Sequence, residues 1–230
     1  MPPLDDGRCR RGLVALGDSI TVGEGQAMLG TRCQSWALWL AEALELPYTN
    51  LAVNGAQARD LGRQVERMRG PYELCCLYAG VNDARAVDFD GGAFAAALGG
   101  AASAAARDAD HLLMVTIPLD LGRPRAGGSV LEANRLVREV AARHRATVVA
   151  LEGLRGWRLL LPDAVHVTAR GQVQIAELAA RALRADGLPV PRSPAALAEG
   201  PGGWRADAWY ALSGHAAALA RDLRRRLRER

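Results

Sequence analysis

The sequence predicts an α/β fold: three layers, with a doubly wound, mostly parallel sheet of five strands between helices. Three observations predict it. Short apolar runs recur five times and alternate with stretches of helical periodicity, the pattern of βαβ units. The runs are apolar on consecutive residues, as a strand needs when helices cover both of its faces. At 230 residues the chain can bury one such domain with a segment left over, but is short for two.

Taken in order, the first strand is the apolar run between Gly12 and Gly17, and it stops abruptly at Gly17-Asp18-Ser19. A serine there would sit beyond the carboxyl end of a buried strand, where open parallel sheets bind ligands. Residues 21–35 are polar and Gly-rich and read as a loop. A helix is predicted from about Ser35 to Glu45, with Trp36, Leu40 and Leu44 on one face and Pro47 ending it. Tyr48 to Val53 reads as the second strand, and Asn54-Gly55 as a turn at the same edge as Ser19. The next helix runs from about Ala58 to Arg69 and closes at Gly70-Pro71. Glu73 to Ala79 is the third strand and delivers Gly80-Val81-Asn82-Asp83. A small-residue helix follows, from about Gly92 to Arg107, then a strand from His111 to Ile117 that Pro118 stops. After a Gly-, Pro- and Arg-rich loop at 119–129 come a helix from Val130 to Arg145 and a fifth strand from Ala146 to Leu151. A loop carrying Asp163 and His166 leads into a last helix, from about Thr168 to Ala185. Right-handed crossovers place all five strand ends on one edge.

Composition narrows the function classes. All 29 basic residues are arginine, which with the abundant Ala and Gly points to a GC-rich bacterial genome and lowers what any one arginine says about function. No apolar run is long enough to span a bilayer. The first dozen residues lack the pattern of a secretory signal, so a cytoplasmic location is expected. Cys9, Cys33, Cys75 and Cys76 have no metal-ligand spacing and read as free thiols acting as small core residues. There is no phosphate loop, no dinucleotide glycine fingerprint and no zinc-protease motif, so no cofactor, no metal and no nucleic-acid partner is expected.

Each of these turns is unremarkable alone; together, in this order, they are not. Gly17-Asp18-Ser19-Ile20-Thr21, Asn50-Leu51-Ala52-Val53-Asn54-Gly55, Gly80-Val81-Asn82-Asp83 and Asp163-Ala164-Val165-His166 resemble the four blocks of the SGNH hydrolases, the GDSL esterase and lipase family. The resemblance covers about residues 12–186. It departs in two ways: Val167 stands where the family often has Pro, and the chain continues well past the fold. It implies the flavodoxin-like SGNH fold and a serine esterase that hydrolyses a small-molecule acyl ester through an acyl-serine intermediate. Ser19 would be the nucleophile, His166 its base and Asp163 the group orienting the base. The backbone N–H groups of Ser19 and Gly55 and the Asn82 amide would form the oxyanion hole. The chemistry is consistent: a hydroxyl needs a base near neutrality, and spacing of three puts Asp163 and His166 on one turn. Asp18 is expected to shape the nucleophile turn, and Asp83 to hold the Asn82 loop. Two alternatives remain: an acyltransferase of secondary metabolism using the same serine, and a non-catalytic binding protein of the same fold.

Three segments follow from this: a hydrolase domain at 1–187, a Pro/Gly-rich linker at 188–204 and a basic helix at 205–230. Residues 221–230 hold six arginines against two acids, a net of +4 that equals the formal charge of the whole chain. Trp209, Leu212, Leu219, Leu223 and Leu227 lean to one side of that helix. Packing on the body is the preferred reading, ahead of contact with an anionic membrane surface or a docked protein. The oligomeric state is left open.

Overall fold

The computed structural model describes residues 10–28, 31–123, 125–198 and 204–228. Numbered along the chain, the strands are β1 (Leu13–Gly17), β2 (Gly25–Gln26), β3 (Tyr48–Asn50), β4 (Tyr72–Tyr78), β5 (Ala109–Val115), β6 (Thr147–Val149) and β7 (Val167–Thr168). Five of them form one parallel sheet in the order β3-β1-β4-β5-β6, while β2 and β7 pair with each other. The chain therefore winds outward from β1 to β3, crosses back to β4, and continues to the far edge. The reversal lies between β1 and β4, and crevices at such reversals are where open α/β sheets bind ligands. Their register pairs Gly17 with Tyr78, so the segments carrying Ser19 and Asn82 leave adjacent strands at one level.

The helices are α1 (Ser19–Val22), α2 (Trp36–Leu44), α3 (Leu61–Val65), α4 (Val81–Ala84), α5 (Gly91–Asp108), α6 (Gly128–Arg143), α7 (Ala169–Ala185), α8 (Pro194–Leu197), α9 (Trp204–Trp209) and α10 (Ala216–Arg228). α2 and α7 pack together over one face of the sheet, and α3, α5 and α6 over the other. Covered twice, β1 and β4 bury Leu13, Leu16 and Leu77, each worth about 1.5–3 kcal/mol relative to exposure. Trp36 and Trp39 are core residues, and Trp36 meets Tyr78 edge to face at 6.3 Å.

Several elements differ from the sequence expectation. The segment after Ser19, read as loop, begins with the single turn α1 and then forms β2 against β7, which ties it to the residues after His166. α2 ends at Leu44 because Glu45 turns left-handed, before Pro47 is reached. β3 is shorter than expected, yet the Leu51 and Val53 amides still donate to the carbonyls of Ala15 and Gly17. The helix expected over residues 58–69 is a 3₁₀ turn at Ala58–Asp60 followed by the short α3. Cys33 is exposed, whereas Cys75 and Cys76 are core residues as expected; Cys9 lies outside the described residues.

The stretch read as a linker is fastened to the body up to residue 198, and residues 199–203 lie outside the described ones. Val190 and Pro194 are buried, the Arg192 amide donates to the Ala43 carbonyl at 3.1 Å, and Ser193 caps α8 with Pro194 at its first position. Beyond it, α9 and α10 join through a π-helical turn at Tyr210–His215. The packing reading would bury the apolar side of this helix. Trp209, Leu212, Leu219, Leu223 and Leu227 are instead all more than half exposed. One contact with the body is a hydrogen bond of 3.0 Å from the Gln26 side-chain amide to the Gly214 carbonyl.

Candidate active site

β1 ends at Gly17, where a Cβ would come within 2.3 Å of the Tyr78 carbonyl, so only glycine lets β1 lie against β4 at this point. Asp18 follows, fully buried, and its Oδ1 accepts the Ile20 amide at 3.0 Å, capping α1. The cap fixes Ser19 at the first position of the turn. The other Asp18 oxygen has no hydrogen-bond partner, and burial pushes the carboxyl up to about 7.

Ser19 is nearly buried, and its Oγ lies 3.2 Å from His166 Nε2. His166 Nδ1 lies 2.8 Å from Asp163 Oδ2, while Asp163 Oδ1 accepts the amides of Val165 and His166 at 3.0 and 3.1 Å. Burial opposes the Asp163 charge, but the His166 hydrogen bond and these amides outweigh it and hold its pKa below the usual carboxylate value. The Asp163 hydrogen bond in turn raises the pKa of His166 against the effect of burial, with the charges of Asp163, Glu24 and Asp18 adding to it. The arrangement can take a proton from Ser19 and hold the resulting imidazolium.

Gly55 sits in an exposed turn with φ of +74°, and nothing lies within 4 Å of where its Cβ would be. The left-handed backbone is what calls for glycine here, since a side chain would have open space. α4 grips this turn twice. The Asn82 amide donates to the Ala56 carbonyl at 3.0 Å, and both Asp83 oxygens accept the Ala58 amide at 3.1 Å. Burial raises the Asp83 pKa. A carboxamide carries two N–H bonds, so the one given to Ala56 leaves Asn82 another to donate. A cavity of about 430 Å³ opens beside the turn, lined by Val53, Asn54, Gly55 and Ala56 together with Asp60 of the 3₁₀ turn, Arg63 and Gln64 of α3, and Arg67 just beyond it.

Residues 15–174, well over half of the chain, match the profile of the GDSL-like Lipase/Acylhydrolase family. The chain belongs to that family. As a GDSL-like lipase/acylhydrolase it is a hydrolase, and its sheet and flanking helices are similar to those of solved structures. One is an alpha/beta hydrolase enzyme from the metagenome of Lake Arreo, Spain, at 20% identity and TM-score 0.62, over 75% of this chain and 94% of that one. Another is a lipase/acylhydrolase from Enterococcus faecalis, at 19% and 0.62, over 76% and 96%. A third is an acetylxylan esterase from Geobacillus stearothermophilus, at 18% and 0.61, over 80% and 97%. No curated protein sequence matches the chain.

Three residues of this GDSL-like hydrolase escaped the sequence reading. Gln64, buried on α3, accepts the Gly17 amide at 2.8 Å and donates to the Gly17 carbonyl at 2.9 Å. Gln172, buried on α7, donates to the Ile20 carbonyl at 3.0 Å and accepts the Trp36 amide at 2.8 Å. Each is a glutamine on the apolar face of a helix, a sequence signal for a buried polar clamp. The third, Glu24, stands at the mouth and carries no motif at all. Arg123 and Arg125, in the loop after β5, both pair with Asp120, so that loop supplies its own counter-ion.

Proposed function

We propose that this GDSL-like hydrolase cleaves carboxylic esters of small molecules through an acyl-Ser19 intermediate. The observation that carries the reading is the chain of contacts from Ser19 Oγ to His166 Nε2, and from His166 Nδ1 to Asp163. His166 takes the Ser19 proton as the hydroxyl adds to the carbonyl carbon, then gives it to the departing alcohol. Water repeats the sequence to release the acid and free Ser19. Asp163 keeps the ring in the tautomer that offers Nε2 to serine and offsets the imidazolium charge. The backbone N–H groups of Ser19 and Gly55 and the side chain of Asn82 donate to the oxyanion. Asp18 and Asp83 are supporting groups: one caps the nucleophile turn, the other steadies the turn after Gly55.

Hydrolysis of p-nitrophenyl esters, with labelling by a fluorophosphonate probe, tests this. The probe is expected on Ser19, and Ser19→Ala is expected to lose both labelling and turnover, the latter by a thousandfold or more. If Ser19→Ala keeps more than about a tenth of the wild-type rate, the mechanism is wrong. An added alcohol competing with water for the acyl group would mark the transferase alternative.

We also propose that the basic C-terminal segment from residue 205, helical over its described residues, lies on an anionic lipid surface. Its exposed Leu219, Leu223 and Leu227 recur every four residues on α10, beside a terminal net charge of +4, and this combination suits an interfacial helix. No helix among the described residues is long and apolar enough to cross a membrane, so the contact would be with the surface.

A further inference from the structure

Among the described residues, Glu24 is the one acidic side chain at the mouth of the site that neither caps a helix nor orients His166 through a hydrogen bond. Its backbone is held: the Glu24 amide donates to the Ser19 carbonyl at 2.9 Å, and its own carbonyl accepts from Gln172 at 3.3 Å. The carboxylate is aimed by two contacts. Oε1 accepts the side-chain amide of Asn54, the residue before Gly55, and Oε2 lies 3.6 Å from His166 Nε2. The side chain is 44% exposed, so it faces both the base and whatever enters from solvent.

Nε2 is the atom that faces Ser19 Oγ, and in an acyl transfer it is also the atom that returns the proton to the departing alcohol. A group 3.6 Å from Nε2 therefore borders the alcohol half of an ester, not its acyl half. We propose that Glu24 is a specificity-determining residue, a carboxylate subsite that favours esters of cationic alcohols and disfavours esters of anionic ones. This rests on the acyl-Ser19 reading above. Arg63 and Arg67 line the cavity beyond Gly55 and carry the opposite charge, so the acyl group must be kept constant when the alcohol is varied.

The same carboxylate acts on the base. The charged groups acting on His166 are Asp163, Glu24 and Asp18, all acidic, and the first two stabilise the imidazolium from opposite ring nitrogens. Hydrolysis needs the neutral ring, so kcat/KM is lost as pH falls through the His166 pKa, which lies above the usual histidine value. Removing the Glu24 charge must move that acid limb to lower pH.

Glu24→Gln is the decisive variant, because a glutamine oxygen still accepts from Asn54 and only the charge is lost. The substrates are the acetate esters of choline, of its neutral carbon isostere dimethylbutanol, and of glycolate. For the wild type, kcat/KM is expected to be roughly tenfold higher for the choline ester than for the glycolate ester, the size of effect a half-exposed charge pair can give. In Glu24→Gln the ratio is expected to fall to within about twofold, with the acid limb of the neutral ester displaced downward. An unchanged ratio in an active variant overturns the subsite while leaving the acyl-Ser19 mechanism standing. Absence of hydrolysis of all three esters by a wild type that also resists the fluorophosphonate overturns both.

Discussion

At the scale of single residues, the proposed mechanism gives Asn82 two tasks on one carboxamide. One N–H steadies the Gly55 turn through Ala56, which leaves the other for an oxyanion. The two tasks separate kinetically. An oxyanion donor acts mainly in the transition state, so Asn82→Ala is expected to lower kcat by about 10²–10³ with little change in KM. A purely structural Asn82 would instead lower stability and leave the kcat of the folded fraction intact. Thermal denaturation run beside steady-state kinetics distinguishes them. Asp18 shows how much this corner tolerates: a fully buried carboxyl with one oxygen unpartnered, beside the buried and likewise unpartnered Tyr78 hydroxyl. Its proximity to the imidazolium at His166 offsets part of the effect of burial.

At the scale of elements, the nucleophile turn is held by helices on opposite faces of the sheet. α3 reaches in with Gln64 to both backbone groups of Gly17, and α7 with Gln172 to the carbonyl of Ile20. These clamps satisfy backbone groups where β1 ends, the Gly17 N–H among them. The Gly17 carbonyl has a second partner in the Val53 amide, so loss of Gln64 orphans chiefly the Gly17 N–H. Gln64→Ala is therefore expected to cost about 2–3 kcal/mol of stability, from one buried unsatisfied donor and lost packing. Urea denaturation measures it, and a change below about 0.5 kcal/mol would show that α1 is held without the clamp.

At the scale of the whole molecule, charge and apolar surface are divided unevenly. The terminal ten residues carry a net charge equal to that of the entire chain, which leaves the remaining body close to neutral. The body buries most of its large apolar residues, while the helix after residue 204 leaves its leucines in solvent. Gln26, which bonds Gly214, belongs to the strand paired with the residues just after His166, so the helix is attached near the mouth of the site. A lipid-bound helix there would hold the mouth beside the membrane. Truncation after Gly203 is expected to leave the melting temperature and p-nitrophenyl ester hydrolysis nearly unchanged and to abolish co-sedimentation with anionic vesicles. A large fall in melting temperature, or vesicle binding that survives truncation, would refute the lipid reading.

The sequence alone determined the five strands of the main sheet, their consecutive apolar pattern and the three turns at their carboxyl ends, because burial on two faces and turn chemistry are local properties. Ser19, His166 and Asp163 were legible for the same reason: a strand end and a three-residue spacing mark them. Only the tertiary structure decided which strands are neighbours, and hence that the segments carrying Ser19 and Asn82 leave adjacent strands, β1 and β4, at one edge of the sheet. Nothing in the local pattern tells which segments Gln64 and Gln172 hold, since a clamp is defined by what it reaches across the core. Glu24 was silent for a related reason: an exposed acid in a Gly-rich segment carries no periodicity, and its meaning arises when β2 pairs with β7 and sets it beside His166. The leucines after residue 204 are the reverse case. Their spacing foretold an amphipathic helix, but whether that face is covered depends on the shape of the body, which a repeat of four residues does not encode.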